Sequence, residues 1–205
     1  FISSTTSEWL GGNLHKLIIN TSIDPNIPPI PEFIFSTISS NSPNTNSYGY
    51  PYMSAADSPS ARSNALLGIN IENYLLPSGL AVVGSELKLT TIQVSGNPQV
   101  GVWSMSNHDW DQEEVTWLES STGTPWSGPG GTGSGDRTSL LDSQVVSSGS
   151  QFAWNVTSAV QDSMRNAERL DFMIEILPGQ SSSDALFYSP VSSNINYLPT
   201  VEIIY

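Results

Sequence analysis

The sequence predicts an all-β fold, a sandwich or barrel, with one short helix and a long Gly/Trp-rich loop. Three observations carry that prediction. From Glu32 onward, short apolar runs rich in β-branched and aromatic residues recur between clusters of Gly, Pro, Asn and Ser. Several runs alternate with the period of two that a half-buried strand requires, as Phe152, Trp154 and Val156 do against Ala153 and Asn155. The strand-helix-strand alternation of a parallel sheet is nowhere present, nor is an internal repeat of roughly 20–50 residues.

Taken in order, the first predicted strand falls at Leu14-His15-Lys16-Leu17-Ile18-Ile19. The following Asp24-Pro25-Asn26-Ile27-Pro28-Pro29-Ile30-Pro31 has too many prolines to pair inside a sheet, and it favours extended polyproline II. Residues 1–31 are therefore set apart as an N-terminal strand plus a Pro-rich linker or docking segment, and residues 32–205 as the sandwich. Within the sandwich, strands are expected at Phe33–Ile38, Ala65–Ile71, Ser85–Val94, Gln99–Met105, Phe152–Val156, Asp171–Leu177, Ala185–Ser189 and Pro199–Tyr205. A short helix is expected from an N-cap at Thr157 or Ser158 through Ala159–Arg165, with Val156, Val160 and Met164 on one stripe and Asn166 as the stop. Asn107–Ser150 shows no regular period and reads as a long insertion, a length that in compact domains goes with function or with close self-packing.

The chain's 205 residues can bury one substantial core. Six Lys and Arg against 19 Asp and Glu leave a formal charge of -13, a surface that repels phosphate backbones and anionic headgroups. Nucleic acid is excluded as a partner on that ground. Membrane insertion is not expected either, since no apolar run approaches the roughly 20 residues of a spanning helix. Charged residues make up 12% and their place is filled by Ser, Thr, Asn and Gly, a surface common in extracellular β proteins. Without a single cysteine, disulfides, thiolate metal sites and thiol chemistry drop out. The opening at Phe1 reads as a processed or excised piece of a longer exported protein.

Catalytic patterns are weak. Gly128-Pro129-Gly130-Gly131-Thr132-Gly133 satisfies the spacing of a dinucleotide loop but lacks the strand before it and the helix after it. Ser85-Glu86-Leu87-Lys88 matches the spacing of penicillin-recognising enzymes without their companion motifs. A serine triad would need His15 or His108 as its base, and no serine occupies a nucleophile elbow. His108, in a polar loop, reads as a solvated turn histidine. The densest acidic cluster is Asp109, Asp111, Glu113 and Glu114, which fits turn and cap roles first, calcium second and a glycosidase pair last. Ca2+ is thus the one cofactor the sequence brings forward.

Binding is better represented. Tyr48-Gly49-Tyr50-Pro51-Tyr52 places three phenol rings at period two, so an extended segment would present them on one side to stack on sugar rings. Coverage of a sandwich edge is the plainer use of these tyrosines. For Trp103, Trp110, Trp117, Trp126 and Trp154 a core position is expected.

Ser42-Pro43-Asn44-Thr45-Asn46-Ser47-Tyr48-Gly49, Arg62-Ser63 through Leu76-Pro77-Ser78-Gly79, and Ser85-Glu86-Leu87-Lys88-Leu89 together resemble the start of a DNRLRE domain. That family includes the CBM96 carbohydrate-binding modules and disaggregatase-related modules. In the same order, Trp110-Asp111-Gln112-Glu113-Glu114-Val115-Thr116-Trp117 resembles its W-x-E-x-x-V-T-W stretch, and Pro125-Trp126-Ser127-Gly128-Pro129-Gly130-Gly131 its W-x-x-P-G-G loop. Trp154-Asn155-Val156-Thr157-Ser158-Ala159-Val160-Gln161 is similar to the entry into its helix, and Leu198–Tyr205 to its final strand. The resemblance implies an antiparallel jelly-roll-like β-sandwich, an accessory or repeated module of secreted, cell-surface or virus-associated proteins, some of which bind alginate-type polysaccharides, and it implies no catalysis.

The function expected is a non-catalytic extracellular binding or adhesion module for a glycan, with Tyr48, Tyr50, Tyr52, Arg62 and Arg137 as candidate contacts. The alternative is a structural subunit of an appendage, surface layer or virion, self-associating or meeting neighbouring subunits through residues 1–31. With so few cations, a neutral glycan or a calcium-bridged acidic one suits the chain better than a free polyuronate.

Overall fold

The structure is a computed structural model that describes residues 2–9, 15–22, 33–71, 81–180 and 182–205. The predicted proline tract, residues 24–31, lies outside the described residues. In chain order the first strands are β1 (Ile2–Trp9), β2 (His15–Ser22), β3 (Phe33–Ser39), β4 (Tyr52–Ser58), β5 (Ala61–Ile69), β6 (Gly84–Ser95) and β7 (Gln99–Met105). A small hairpin, β8 (Glu119–Ser121) and β9 (Thr124–Pro125), precedes β10 (Arg137–Val145) and β11 (Gln151–Asn155). The helix α1 (Thr157–Asn166) leads to β12 (Leu170–Ile176), β13 (Ser183–Tyr188) and β14 (Thr200–Ile204).

Every pairing among these strands is antiparallel, and apart from the separate β8–β9 pair they form one strongly curled sheet in the order β1-β2-β14-β6-β13-β4-β5-β12-β7-β10, with β11 added to β6 and β3 to β5. The fold is all-β and sandwich-like, as the alternation predicts. The 12-residue strand β6 makes the curl: its first half pairs with β14 and β11, and its second half with β13. The two ends of the sheet thereby face each other across one core. Leu87, Trp154, Val201 and Ile203 come from one side, and Leu67, Val100, Val102, Phe172 and Ile174 from the other.

β12 is buried along its whole length and β5 from Asn64 onward, because each face meets something different. Ala65, Leu67, Phe172 and Ile174 point into the main core, while Leu66 and Met173 point into a second apolar cluster with Trp110, Val115 and Trp126. Those last three residues belong to the segment 106–136, which folds down over the outer face of the sheet.

Several expectations need correction. Asn107–Ser150 is not irregular throughout, since Arg137–Val145 is a nine-residue strand paired with β7. Its polar, edge-strand composition hides the pattern. Ahead of the strand predicted at Leu14–Ile19 the structure has another, β1, making a hairpin. β2 in turn pairs with β14, places Ile19 in the main core and sends Lys16 to Glu202 at 3.0 Å. Lys88 reaches the same carboxylate at 2.8 Å, so burial raises the Glu202 pKa but the hydrogen bonds from Lys88 and Lys16 outweigh it and hold it below 4.5.

The helix begins at Thr157, two residues before the expected Ala159, and includes Asn166, the expected stop. Val156 is its N-cap, because the Thr157 N–H is already satisfied by Asn155 Oδ1 at 3.1 Å and the Thr157 hydroxyl accepts the N–H of Ser85 at 2.9 Å. Val156 and Val160 are buried and Met164 packs beside them, as the stripe predicts. The helix ends where Ala167 turns left-handed and donates its N–H to Ser163 O.

Candidate functional site

The tyrosine segment does not run extended. Gly49 takes φ +85° in a turn, so the period-two expectation fails between the first ring and the second. Tyr48 packs on Phe35 with ring centroids 5.9 Å apart. Tyr50 and Tyr52 instead stack on each other at 5.5 Å and 35°.

Two tyrosines from far along the chain join them. Tyr52 opens β4 directly opposite Tyr188 at the end of β13, and Tyr188 stacks on Tyr197 at 5.1 Å and 33°. The next residues inward, Met53 and Phe187, are fully buried, so the pleat that sends them into the core sends the tyrosines outward. Ser189 secures the corner, donating its hydroxyl to Tyr50 O at 2.8 Å and its N–H to Pro51 O at 3.3 Å. Tyr50, Tyr52 and Tyr197 are 50%, 38% and 42% exposed, and Ile195 beside Tyr197 is 64% exposed. Two ring pairs, formed by the ends of β4 and β13 and the loops beside them, make an uncharged aromatic platform whose phenol hydroxyls have no hydrogen-bond partner among the described residues. Tyr188 and Tyr197 carried no local sequence signal, since they join the site only through the β4–β13 register.

The two candidate arginines lie elsewhere. Arg62 pairs through Nε with Asp57 Oδ1 at 2.9 Å and stays largely exposed. Arg137 is committed internally: its guanidinium lies 3.9 Å over the Trp103 ring and its Nη1 is 2.7 Å from Glu175 Oε1. It is an outer-face support and not a free glycan contact.

The four candidate calcium ligands are not gathered round one point. Among the described residues no group of three or more His, Asp or Glu side chains is placed to hold a metal ion. Asp111 Oδ1 accepts the Glu113 N–H at 2.7 Å, Glu114 Oε2 accepts the Thr122 N–H at 2.9 Å, and the Asp109 N–H is taken by Asn107 Oδ1 at 3.0 Å. These are turn contacts. The glycine-rich run has a comparable explanation. Buried Asp136 accepts the N–H groups of Ser127, Gly128 and Gly133 at 2.9–3.1 Å, so the chain's own carboxylate fills the amide nest that a phosphate would need. Gly130, at φ +75°, lies so close to the Trp117 ring that a Cβ would meet it at 2.5 Å.

His108 is not a solvated turn residue. Asp171, wholly buried on β12, accepts from Trp110 Nε1 at 2.9 Å, His108 Nδ1 at 2.7 Å and Arg169 Nε at 2.7 Å. Arg169 also donates to the carbonyl of His108 at 2.6 Å, and Glu168 lies 3.6 Å from His108 Nε2. The node ties the start of the 106–136 segment to the sheet. A Cβ on neighbouring Gly68 would fall 2.6 Å from the Asp171 carboxylate, so that position must stay bare.

The hydrogen bond to Asp171 raises the His108 pKa above 6.5, against the opposing effect of burial, with Glu168 adding to the rise and Arg169 reducing it. A raised folded-state value favours the protonated form, so this stabilisation is complete below 6.5 and fades as pH climbs through the folded-state pKa. Urea melts of the protein and of His108→Asn, from about pH 5 to about pH 9, are expected to diverge most at the acid end and to converge as the pH passes the raised folded-state pKa. A difference independent of pH would show that His108 acts by shape alone.

No protein-family model matches the chain, and no curated protein matches it.

Proposed function

We propose that the chain is a non-catalytic glycan-binding module and that the ring pairs Tyr50/Tyr52 and Tyr188/Tyr197 are its contact surface. The exposure of Tyr50, Tyr52 and Tyr197 on one corner, with half-buried Tyr188 stacked among them, is the observation that carries this reading. Flat phenol faces suit the C–H faces of sugar rings, and free hydroxyls suit their polar edges. The platform has no formal charge in a protein of net charge -13, which supports a neutral polysaccharide over a polyuronate. The non-catalytic part of the reading is supported by the buried carboxylates Asp171, Asp136 and Glu175, which are engaged in holding loops and an arginine. An extracellular, cell-surface or virion setting accords with the hydroxyl- and amide-rich composition.

A glycan array probed with and without calcium tests this. Retention of a neutral glycan is expected, with Tyr50→Ala and Tyr188→Ala each weakening it by about 1–2 kcal/mol, the range of an interface anchor. Tyr50 is exposed, so its variant should melt as the parent protein does, whereas half-buried Tyr188 contributes packing and its variant is assayed well below its own melting point. Unchanged affinity in both variants would sink the platform.

The sheet edges favour a second reading, a structural subunit of a surface assembly. β1 and β10 each have one neighbour among the described strands, and an open edge accepts a strand from another subunit through backbone hydrogen bonds. Concentration-dependent polymers in sedimentation, with no sugar retained, would replace the first reading by this one.

A further inference from the structure

At the far end of β4 from the tyrosines, two adjoining cavities share Asp57 and Arg62. The outer one is an open groove of about 350 Å³ that reaches Gln180. The inner one is a more enclosed recess of about 50 Å³, walled by Trp117, Asn64 and Glu175. Tyr52 and Asp57 are five residues apart on an extended strand, roughly 17 Å, so this groove is separate from the platform.

Its chemistry is mixed but neutral. The Asp57 carboxylate is paired with Arg62 and the Glu175 carboxylate with Arg137, so neither presents an uncompensated charge. Arg62 uses Nε on Asp57, its side chain is 55% exposed, and its two terminal nitrogens have no partner among the described residues. Asn64 donates to Gly130 O at 2.9 Å, which leaves its side-chain oxygen as an acceptor. Trp117 is held by Gly130 against one part of its ring and lends the recess an aromatic wall.

A fully apolar ligand would cover the Arg62–Asp57 pair without replacing its water, which is costly. An acidic sugar would approach two carboxylates. A neutral sugar ring seated in the outer groove meets both demands, with hydroxyls that can donate to Asp57 and accept from Arg62 and one substituent entering the recess toward the edge of the indole. We propose that this groove is a second saccharide site, taking a single neutral ring, independent of the tyrosine platform. Arg62 is its principal binding residue and Trp117 its aromatic wall.

Tryptophan fluorescence distinguishes the two sites, because the platform contains tyrosines and the groove a tryptophan. The protein is titrated with methyl glycosides of glucose, galactose, mannose and N-acetylglucosamine, and with a galacturonate monomer, up to their solubility limits. At least one neutral glycoside is expected to shift the emission, and the shift should vanish in Trp117→Phe. Arg62→Ala should weaken binding about tenfold, as loss of a charge-assisted hydrogen bond does, and Tyr50→Ala combined with Tyr188→Ala should leave it unchanged. Arg62 is a surface residue, so its variant reports on binding even where Trp117→Phe folds poorly. The proposal is overturned if no neutral glycoside shifts the emission, if Arg62→Ala binds like the parent protein, if galacturonate binds more tightly, or if the tyrosine double variant abolishes the response. Platform failure on the glycan array leaves these outcomes untouched.

Discussion

Replacing Asp171 by alanine is expected to destabilise the protein by about 3–5 kcal/mol, the cost of removing one partner from a buried ionic network. The side chain has no exposed surface and accepts from three donors on two segments. Its removal leaves the Arg169 guanidinium beside an empty space, strands the Trp110 indole N–H in an apolar cluster, and frees His108. Asn in place of Asp keeps the volume and one acceptor, so Asp171→Asn should lose less. The two variants therefore separate shape from charge. Denaturant melts give the magnitude, and near-ultraviolet circular dichroism shows whether the Trp110 environment loosens with it. A loss under about 1 kcal/mol for Asp171→Ala would mean that the 106–136 segment is held by Trp110, Val115 and Trp126 alone, and the node adds nothing.

This node shows what the sequence conceals. Leu170–Ile176 reads as a buried strand because five of its seven residues are apolar, and it is one. The two exceptions, Asp171 and Glu175, share its outer face with Met173, and that pairing was the visible sign of a polar layer beneath a cover. What covers it was not visible, since Trp110 and His108 lie about sixty positions away and meet Asp171 only after β5, β7 and β12 are in register. Strands with apolar alternation, such as Gln99–Met105 and Phe33–Ser39, were legible nearly to their ends. β4 and β10 were not, because Ser54-Ala55-Ala56 and Ser143-Gln144 are small or polar and owe their strand form to neighbours. The binding surface follows the same rule. Tyr50 and Tyr52 stood out locally, whereas Tyr188 and Tyr197 reach them through non-local pairing, and the Gly49 turn that removes Tyr48 from the row is set by backbone conformation.

The other large effect is expected at Trp154. Trp154→Ala should cost about 3–5 kcal/mol, as truncation of a fully buried aromatic does, whereas Trp117→Ala, at a half-buried position, should cost clearly less. All five tryptophans compared above read alike in the sequence, so the difference is structural. Trp154 sits on β11, on one side of the curled sheet, and its indole N–H crosses the core to the carbonyl of Val100 on β7 at 3.1 Å. Its ring meets Phe187 edge-on at 6.3 Å and 73°. One side chain thus contacts β7, on the facing side, and β13, which carries the tyrosine platform. Removing it opens a cavity between the two sides and leaves the Val100 carbonyl without that donor. The test includes a functional readout: if the platform depends on the core beneath it, Trp154→Ala should also weaken glycan retention at temperatures well below its melting point, with Tyr50 and Tyr188 intact. Equal melting points for the two tryptophan variants would show that the sheets are held together elsewhere, and that Trp154 is one apolar side chain among many.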